Sequence, residues 1–240
     1  MVKAVFMDVG RTIVTNRIID FKKGLKAVYD LDERTEKIDF SEYLRVNNAL
    51  RKVSFDLARE NNTEVKISTF LEALNEITGI KCNLEGEELE WFFQCNLIEE
   101  ELIDGVVVFL EYLNNVGYIL IAVSNSCMTS YPIKEEFKEY DILKYFKEVI
   151  SSADIGYRKP RKEIFDYAYG RLLKIDNTIK KEEVLFIGND YYCDVVGSYN
   201  AGFIPVWYNE NDEKKDDNSF SFFSVRNYQE LISLFDLMKK

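Results

Sequence analysis

Four segments, each ending or following an apolar run, carry residues able to do chemistry. VFMDVGRTIV carries one carboxylate, Asp8, into a tight turn that closes at Thr12, with Gly10 between them. AVSNS ends in Ser124 and Asn125, GYRKPRKEIF holds Lys159, and FIGNDYYCDVVGSYNAGF holds Asn189, Asp190 and Asp194. A carboxylate beside two more is a hard-oxygen set suited to magnesium. The metal and Lys159 would neutralise a phosphoryl group while Ser124 and nearby backbone amides donate to its oxygens. Asp8 could then attack phosphorus and form an acyl phosphate.

Each residue taken alone also has a bland explanation. Asp8 could form a strand-end turn, and Ser124 and Asn125 could terminate a strand. Asp190 and Asp194, four apart, could be a solvated helix face or first-turn acids favoured by the helix dipole. Lys159 is one of 31 Lys and Arg residues, set apart by Pro160 and the helix opening behind it. Arg11 reads as an exposed turn residue, Tyr191, Tyr192 and Cys193 as packing, and Trp91, Phe92 and Phe93 as helical core. The case for chemistry rests on convergence.

Convergence needs a particular framework. VKAVFMDV (2–9), YILIAVSN (118–125), VLFIGND (184–190) and FIPVWYN (203–209) are near-continuous apolar runs, and EVISSAD (148–154) is a weaker one. Such runs mark strands covered on both faces, as in a parallel sheet. Helical spacing between them, as in Val107, Leu110 and Leu113 or Ile164, Phe165, Ala168 and Leu172, predicts a doubly wound, Rossmann-like α/β core. In a parallel sheet the strand ends face one crevice, so residues distant in sequence can meet there.

Residues 16–100 differ in kind. Val46, Leu50, Val53 and Leu57 form one helical stripe, and Ile67, Phe70, Leu71, Leu74 and Ile77 form a second that stops at Gly79. Leu89, Phe92, Phe93 and Leu97 form a third, and no strand is read among them. The reading is a helical insertion over 16–100 inside a discontinuous core of 1–15 and 101–240. The polar run 209–219 reads as a solvated loop, followed by a short strand and a closing amphipathic helix.

Bulk properties narrow the function. The chain has 240 residues, of which 47 % are hydrophobic and 14 % aromatic, enough for a real core and against disorder. A net charge of −11 opposes nucleic acid and anionic membranes as partners. The absence of histidine removes Ser-His-Asp and Cys-His catalysis. The four cysteines form no C-x-x-C pair and read as reduced thiols, and no apolar run reaches spanning length, so a cytoplasmic address is expected. The sequence leaves monomer or homodimer open.

The four segments resemble, in order and spacing, the motifs of the haloacid dehalogenase-like (HAD) hydrolase superfamily. IDGVVVFLEYLNNVGYILIAVSN, KPRKEIF and GNDYYCDVVGSYNAGF extend that resemblance over nearly the whole chain. The insertion resembles the family's helical cap. The resemblance implies a magnesium-dependent phosphatase acting on a small phosphorylated metabolite. Asp8 would be nucleophile and metal ligand, the Gly10 carbonyl a second ligand, and Asp190 or Asp194 the completing acid. Ser124, with Asn125 and Thr12, would bind the phosphoryl group, and Lys159 would orient it.

Two positions depart from the pattern. The family's phosphatases carry an aspartate at Gly10 that protonates the leaving oxygen and activates water, work typically worth about 10²–10⁴-fold. The acidic motif has Asn189 where the family usually has aspartate. Phosphonate or halo-acid hydrolysis within the superfamily, or a catalytically weak protein that binds a phosphorylated ligand or a protein partner, are the alternatives these departures raise.

Overall fold

The computed structural model describes residues 2–215 and 219–239. Its strands are β1 (Ala4–Met7), β2 (Val14–Ile19), β3 (Ile98–Leu102), β4 (Ile119–Ser124), β5 (Phe146–Ser151), β6 (Val184–Gly188), β7 (Ile204–Tyr208) and β8 (Phe223–Val225). Six of them form one sheet in the order β5-β4-β1-β6-β7-β8, with every neighbouring pair parallel. The chain builds outward from β1 through β4 to β5, then crosses back to lay β6, β7 and β8 on the other side. Asp8 therefore leaves the sheet where the strand order reverses, the position at which such sheets bind ligands.

The alternation of a pleated strand explains why β1 is apolar throughout. Val5 and Met7 pack into the core on one face, with Phe109, Leu113 and Phe235 from helices Val106–Val116 and Tyr228–Met238. Ala4 and Phe6 pack on the other, with Phe165, Ala168 and Leu172 from helix Lys162–Leu173. Both faces are covered, as the doubly wound reading expects. The weak fifth run is a real strand, but it starts earlier, at Phe146, and ends at Ser151. That serine then caps a short helix, Ser152–Ile155, its hydroxyl accepting from Ala153 N at 3.2 Å.

The inserted helices Phe21–Asp30, Phe40–Arg51, Ile67–Thr78 and Gly86–Leu97 share a core of their own, built on Leu25, Val28, Tyr43, Phe70, Leu74 and Phe93. Gly79 stops its helix in the left-handed conformation, φ +68°. Two expectations for this segment fail. Strands do occur here: β2 and β3 pair antiparallel at its two ends and straddle the boundaries read at 15/16 and 100/101. A two-stranded ribbon with Ile18 and Ile19 half exposed and a Glu99-Glu100-Glu101 run leaves no clear apolar alternation. The 46–57 stripe also fails, because a π-helical turn, Lys52–Asp56, rotates the helix. Phe55 turns inward, while Val53 and Leu57 are exposed.

Of the 209–219 loop, residues 216–218 lie outside those described. Among the described residues no helix is long and apolar enough to cross a membrane.

Where the ribbon meets the core, Glu136 of helix Ser130–Glu139 is buried against Glu100 of β3. Burial, and then the Glu100 carboxylate, push Glu136 up to about 9; Glu100 is raised by its own burial. The folded state holds this proton more tightly than the unfolded chain, so stability is greatest below the ordinary glutamate range and declines as pH rises toward 9. Glu136→Gln should flatten that decline. Thermal melts from pH 5 to 9 should show wild type losing at least about 3 °C more than the variant; parallel curves would contradict the assignment.

Candidate active site

The buried cation Lys159 organises the site. Its side chain is 1 % exposed, and its ammonium donates to Asp8 Oδ1 at 2.5 Å and to the Val123 carbonyl at 2.9 Å. A third contact, at 2.8 Å, is an ion pair with Asp194 Oδ1. Asp194 Oδ1 is buried, and this ion pair is its contact. Burial opposes the charge on Lys159, but the Asp194 and Asp8 carboxylates overcome that and raise its pKa. Burial pushes the Asp194 carboxyl up, and Lys159 beside it pulls it back.

Asn125 holds Lys159 in place. Its amide accepts from Lys159 N at 2.8 Å and donates to Lys159 O at 3.0 Å. Both ends of the amide are engaged with backbone, and its second N–H is left over for the expected substrate contact. Thr12 is fully buried, its hydroxyl donates to Asp8 Oδ2 at 3.3 Å, and its carbonyl accepts the Tyr228 hydroxyl. Ser124 closes β4 in register with Ser151 and is buried.

The acidic motif divides its labour. Asp190 is exposed, and its carboxylate caps the π-helical turn Tyr191–Val196 by accepting from Cys193 N at 2.7 Å. The turn carries Asp194 inward, where its Oδ2 accepts from Asp190 N at 2.9 Å. Gly188 makes this possible, because a Cβ there would stand 2.4 Å from the Asp194 carboxyl. Tyr192 does not pack as expected and is 62 % exposed, whereas Tyr191 meets Trp207 edge-on.

Asn189, legible in sequence only as a missing acid, has an active position. With its NH2 turned toward them, it donates to the Gly10 carbonyl at 3.0 Å and to Asp8 Oδ2 at 3.3 Å. Its backbone is held by the Trp207 indole, which donates to Asn189 O at 2.9 Å. The same amide turned over would present an oxygen to those two oxygens. Among the described residues no three acidic or sulfur side chains meet. A cation would therefore rest on Asp8 and Asp194, the Gly10 carbonyl and the Asn189 amide. The all-oxygen donor set fits magnesium, with one carboxylate fewer than a fully acidic motif. Gly10 itself is exposed, and a Cβ added there meets nothing within 4 Å.

Over the strand ends lies the inserted unit, fastened at several points. Glu64, buried, accepts from Ser152 Oγ at 2.7 Å and pairs with Arg158, and its backbone N donates to Gly156 O at 2.9 Å. Glu90, fully buried, accepts from Thr129 N at 2.8 Å, from the Thr129 hydroxyl at 2.5 Å and from Ser68 at 2.7 Å. A cavity of about 260 Å³ remains between the two parts.

Comparison with known proteins adds to this geometry. The family profile described as haloacid dehalogenase-like hydrolase matches residues 39–207, a span that includes Lys159 and Asp194 and begins beyond Asp8. The putative HAD-hydrolase YfnB of Bacillus subtilis is 24 % identical over 82 % of this chain and 80 % of its own. Its magnesium-bound crystal structure, described as revealing interdomain movement, superposes with a TM-score of 0.56 over 98 % and 99 % of the two chains, at 20 % identity. The pyrimidine 5'-nucleotidase YjjG of Escherichia coli is 30 % identical over 38 % of each chain. A 2-haloacid dehalogenase from Pseudomonas syringae shares the fold, with a TM-score of 0.67 at 16 % identity over 99 % of this chain and 100 % of that one.

Proposed function

Because the chain belongs to the haloacid dehalogenase-like hydrolase family, we propose that it hydrolyses a small phosphorylated metabolite through an aspartyl phosphate on Asp8, with magnesium as cofactor. The observation that carries this reading is the Asp8–Lys159 pair at 2.5 Å, with Asp194 behind the same ammonium. A carboxylate so held keeps its orientation, which a nucleophile needs. The nucleotidase activity named for one relative supports the choice of a phosphate ester.

In the proposed mechanism an Asp8 oxygen attacks phosphorus, and the bond to the ester oxygen breaks. Lys159 steadies the carboxylate and the developing phosphoryl charge, Asn125 holds Lys159, and Ser124 lies at the adjacent strand end to donate to a phosphoryl oxygen. Magnesium, held by Asp8, Asp194, the Gly10 carbonyl and the Asn189 carboxamide, would supply further charge neutralisation. Gly10 offers no proton, so the leaving alkoxide takes one from water, and a second water hydrolyses the acyl phosphate unaided. Turnover is therefore slow. The inserted helices act as a cap that excludes bulk water. The test is phosphate release from a panel of phosphate monoesters; magnesium-dependent turnover supports the reading, and none across the panel sinks it.

Gly10 and Asn189 together favour a second reading, a protein that binds a phosphorylated ligand without turning it over. Thermal stabilisation by panel members in the absence of phosphate release would select it.

Asn189→Asp should restore the missing ligand charge. Two unit charges about 4 Å apart interact by roughly 1 kcal/mol in water and about 4 kcal/mol near a protein surface, so a carboxylate facing a divalent ion is worth at least about tenfold in affinity. Without metal, the variant should melt below wild type, because it adds an unneutralised charge beside Asp8. A magnesium titration followed by thermal shift should show a tighter midpoint and a larger rise for the variant. Identical titrations would remove Asn189 from the metal site.

A further inference from the structure

We propose that the phosphate ester taken by this site carries an aromatic ring in its leaving group. The inference rests on the phosphatase reading above and specifies its substrate class. The cavity between the inserted helices and the strand-end loops is floored by Asn125 and Ser126, directly after Ser124, and by Arg158, directly before Lys159. With its phosphoryl group at Asp8 and Ser124, which border this space without lining it, the ester would extend its leaving group into it.

The walls are Phe21, Phe55, Phe70 and Phe93, one from each of three helices and one from the π-helical turn. Phenyl walls favour a ring, which gains edge-to-face or offset contacts beyond simple burial. The Arg51 guanidinium lies 5.3 Å over the Phe21 ring, showing that cation–π stacking already operates at the rim. A polyol chain would fare badly here, because each buried hydroxyl needs a partner. The charged groups at the floor, Arg158 and Glu64, are engaged with each other, so Arg51 and Arg59 are left for the anionic end of an ester and the buried Asn47 amide for a polar edge of the ring.

Local backbone argues the same way. The π-helical turn spoils the regular apolar stripe, leaves Val53 and Leu57 in solvent, and in exchange places Phe55 on the cavity. A helix serving only to pack would keep the stripe. Arg51 and Arg59 line the same space and, among the described residues, form no ion pair, so a chain of net charge −11 shows an anionic ester a locally positive entrance.

The decisive comparison uses 2-phenylethyl phosphate and ethyl phosphate, two primary alkyl esters that differ by the ring. The expected result is a kcat/KM at least about tenfold higher for the phenylethyl ester, and a rise in Tm at concentrations where ethyl phosphate gives none. Phe55→Ala should shrink the ratio between the two esters. Should that variant fail to fold, Phe21→Ala, at a half-exposed rim position, should shrink it instead. Equal kcat/KM, or a ratio indifferent to both substitutions, overturns the inference. If neither ester turns over with magnesium, the phosphatase reading fails for them, and the two Tm shifts still decide the ring: equal shifts overturn it.

Discussion

Asp8→Asn should leave a folded protein whose phosphate release has fallen by at least about 10³-fold, the scale on which loss of a covalent nucleophile registers. The change is nearly isosteric and exchanges one carboxylate oxygen for an amide nitrogen that cannot attack phosphorus. Folding should survive because Lys159 keeps Asp194 at 2.8 Å and the Val123 carbonyl at 2.9 Å. One ammonium facing two carboxylates becomes one facing one, a balanced buried pair. Melting temperature should therefore move by no more than a few degrees, roughly 1 kcal/mol for a chain of this size. Steady-state kinetics beside a thermal melt checks both halves. Turnover that persists in the variant removes Asp8 from the nucleophile's role, and loss of the fold means the pair is structural first.

Gly10→Asp should raise kcat by roughly tenfold or more, part of the 10²–10⁴-fold that positioned acid–base help contributes. Glycine at this position is not demanded by the backbone. The residue is exposed, and a side chain there meets no atom within 4 Å of its Cβ. The substitution adds a proton carrier two residues from Asp8, where the leaving oxygen departs, at little steric cost. The gain should appear in kcat more than in KM, since the new group acts on the transition state. It should also add an ionisation to the pH profile of kcat. A folded, magnesium-binding variant with unchanged kcat would show that the proton is supplied elsewhere or is not limiting.

The core was legible because burial on both faces writes long apolar runs into β1, β4, β6 and β7, and those runs end where the chemistry lies. Asp8, Lys159 and Asp194 lie in segments that end or follow strands, and the structure brings both carboxylates to the Lys159 ammonium. What was hidden depended on side chains being diverted. Asp190 looks equivalent to Asp194 in sequence, yet it caps the turn that aims Asp194 inward. Asn125 and Thr12 look like phosphoryl binders, and in the structure one clamps the Lys159 backbone and the other donates to Asp8. The ribbon β2–β3 went unseen because its pairing is local and one side is wet. The 46–57 stripe misled because a single wide turn shifts a helix face without changing composition. Asn189 was visible as a substitution; its contact with Asp8 and Gly10 needed three-dimensional proximity.

The central claim is that Asp8 takes the phosphoryl group covalently. It is tested most directly by acid-quenching the protein during turnover of a phosphate ester, digesting it and locating phosphate by mass spectrometry. A hydroxylamine-sensitive phosphate is expected on the peptide that contains Asp8, formed with magnesium present and missing in Asp8→Asn. Turnover with that peptide unmodified, or phosphate on any other residue, would contradict it.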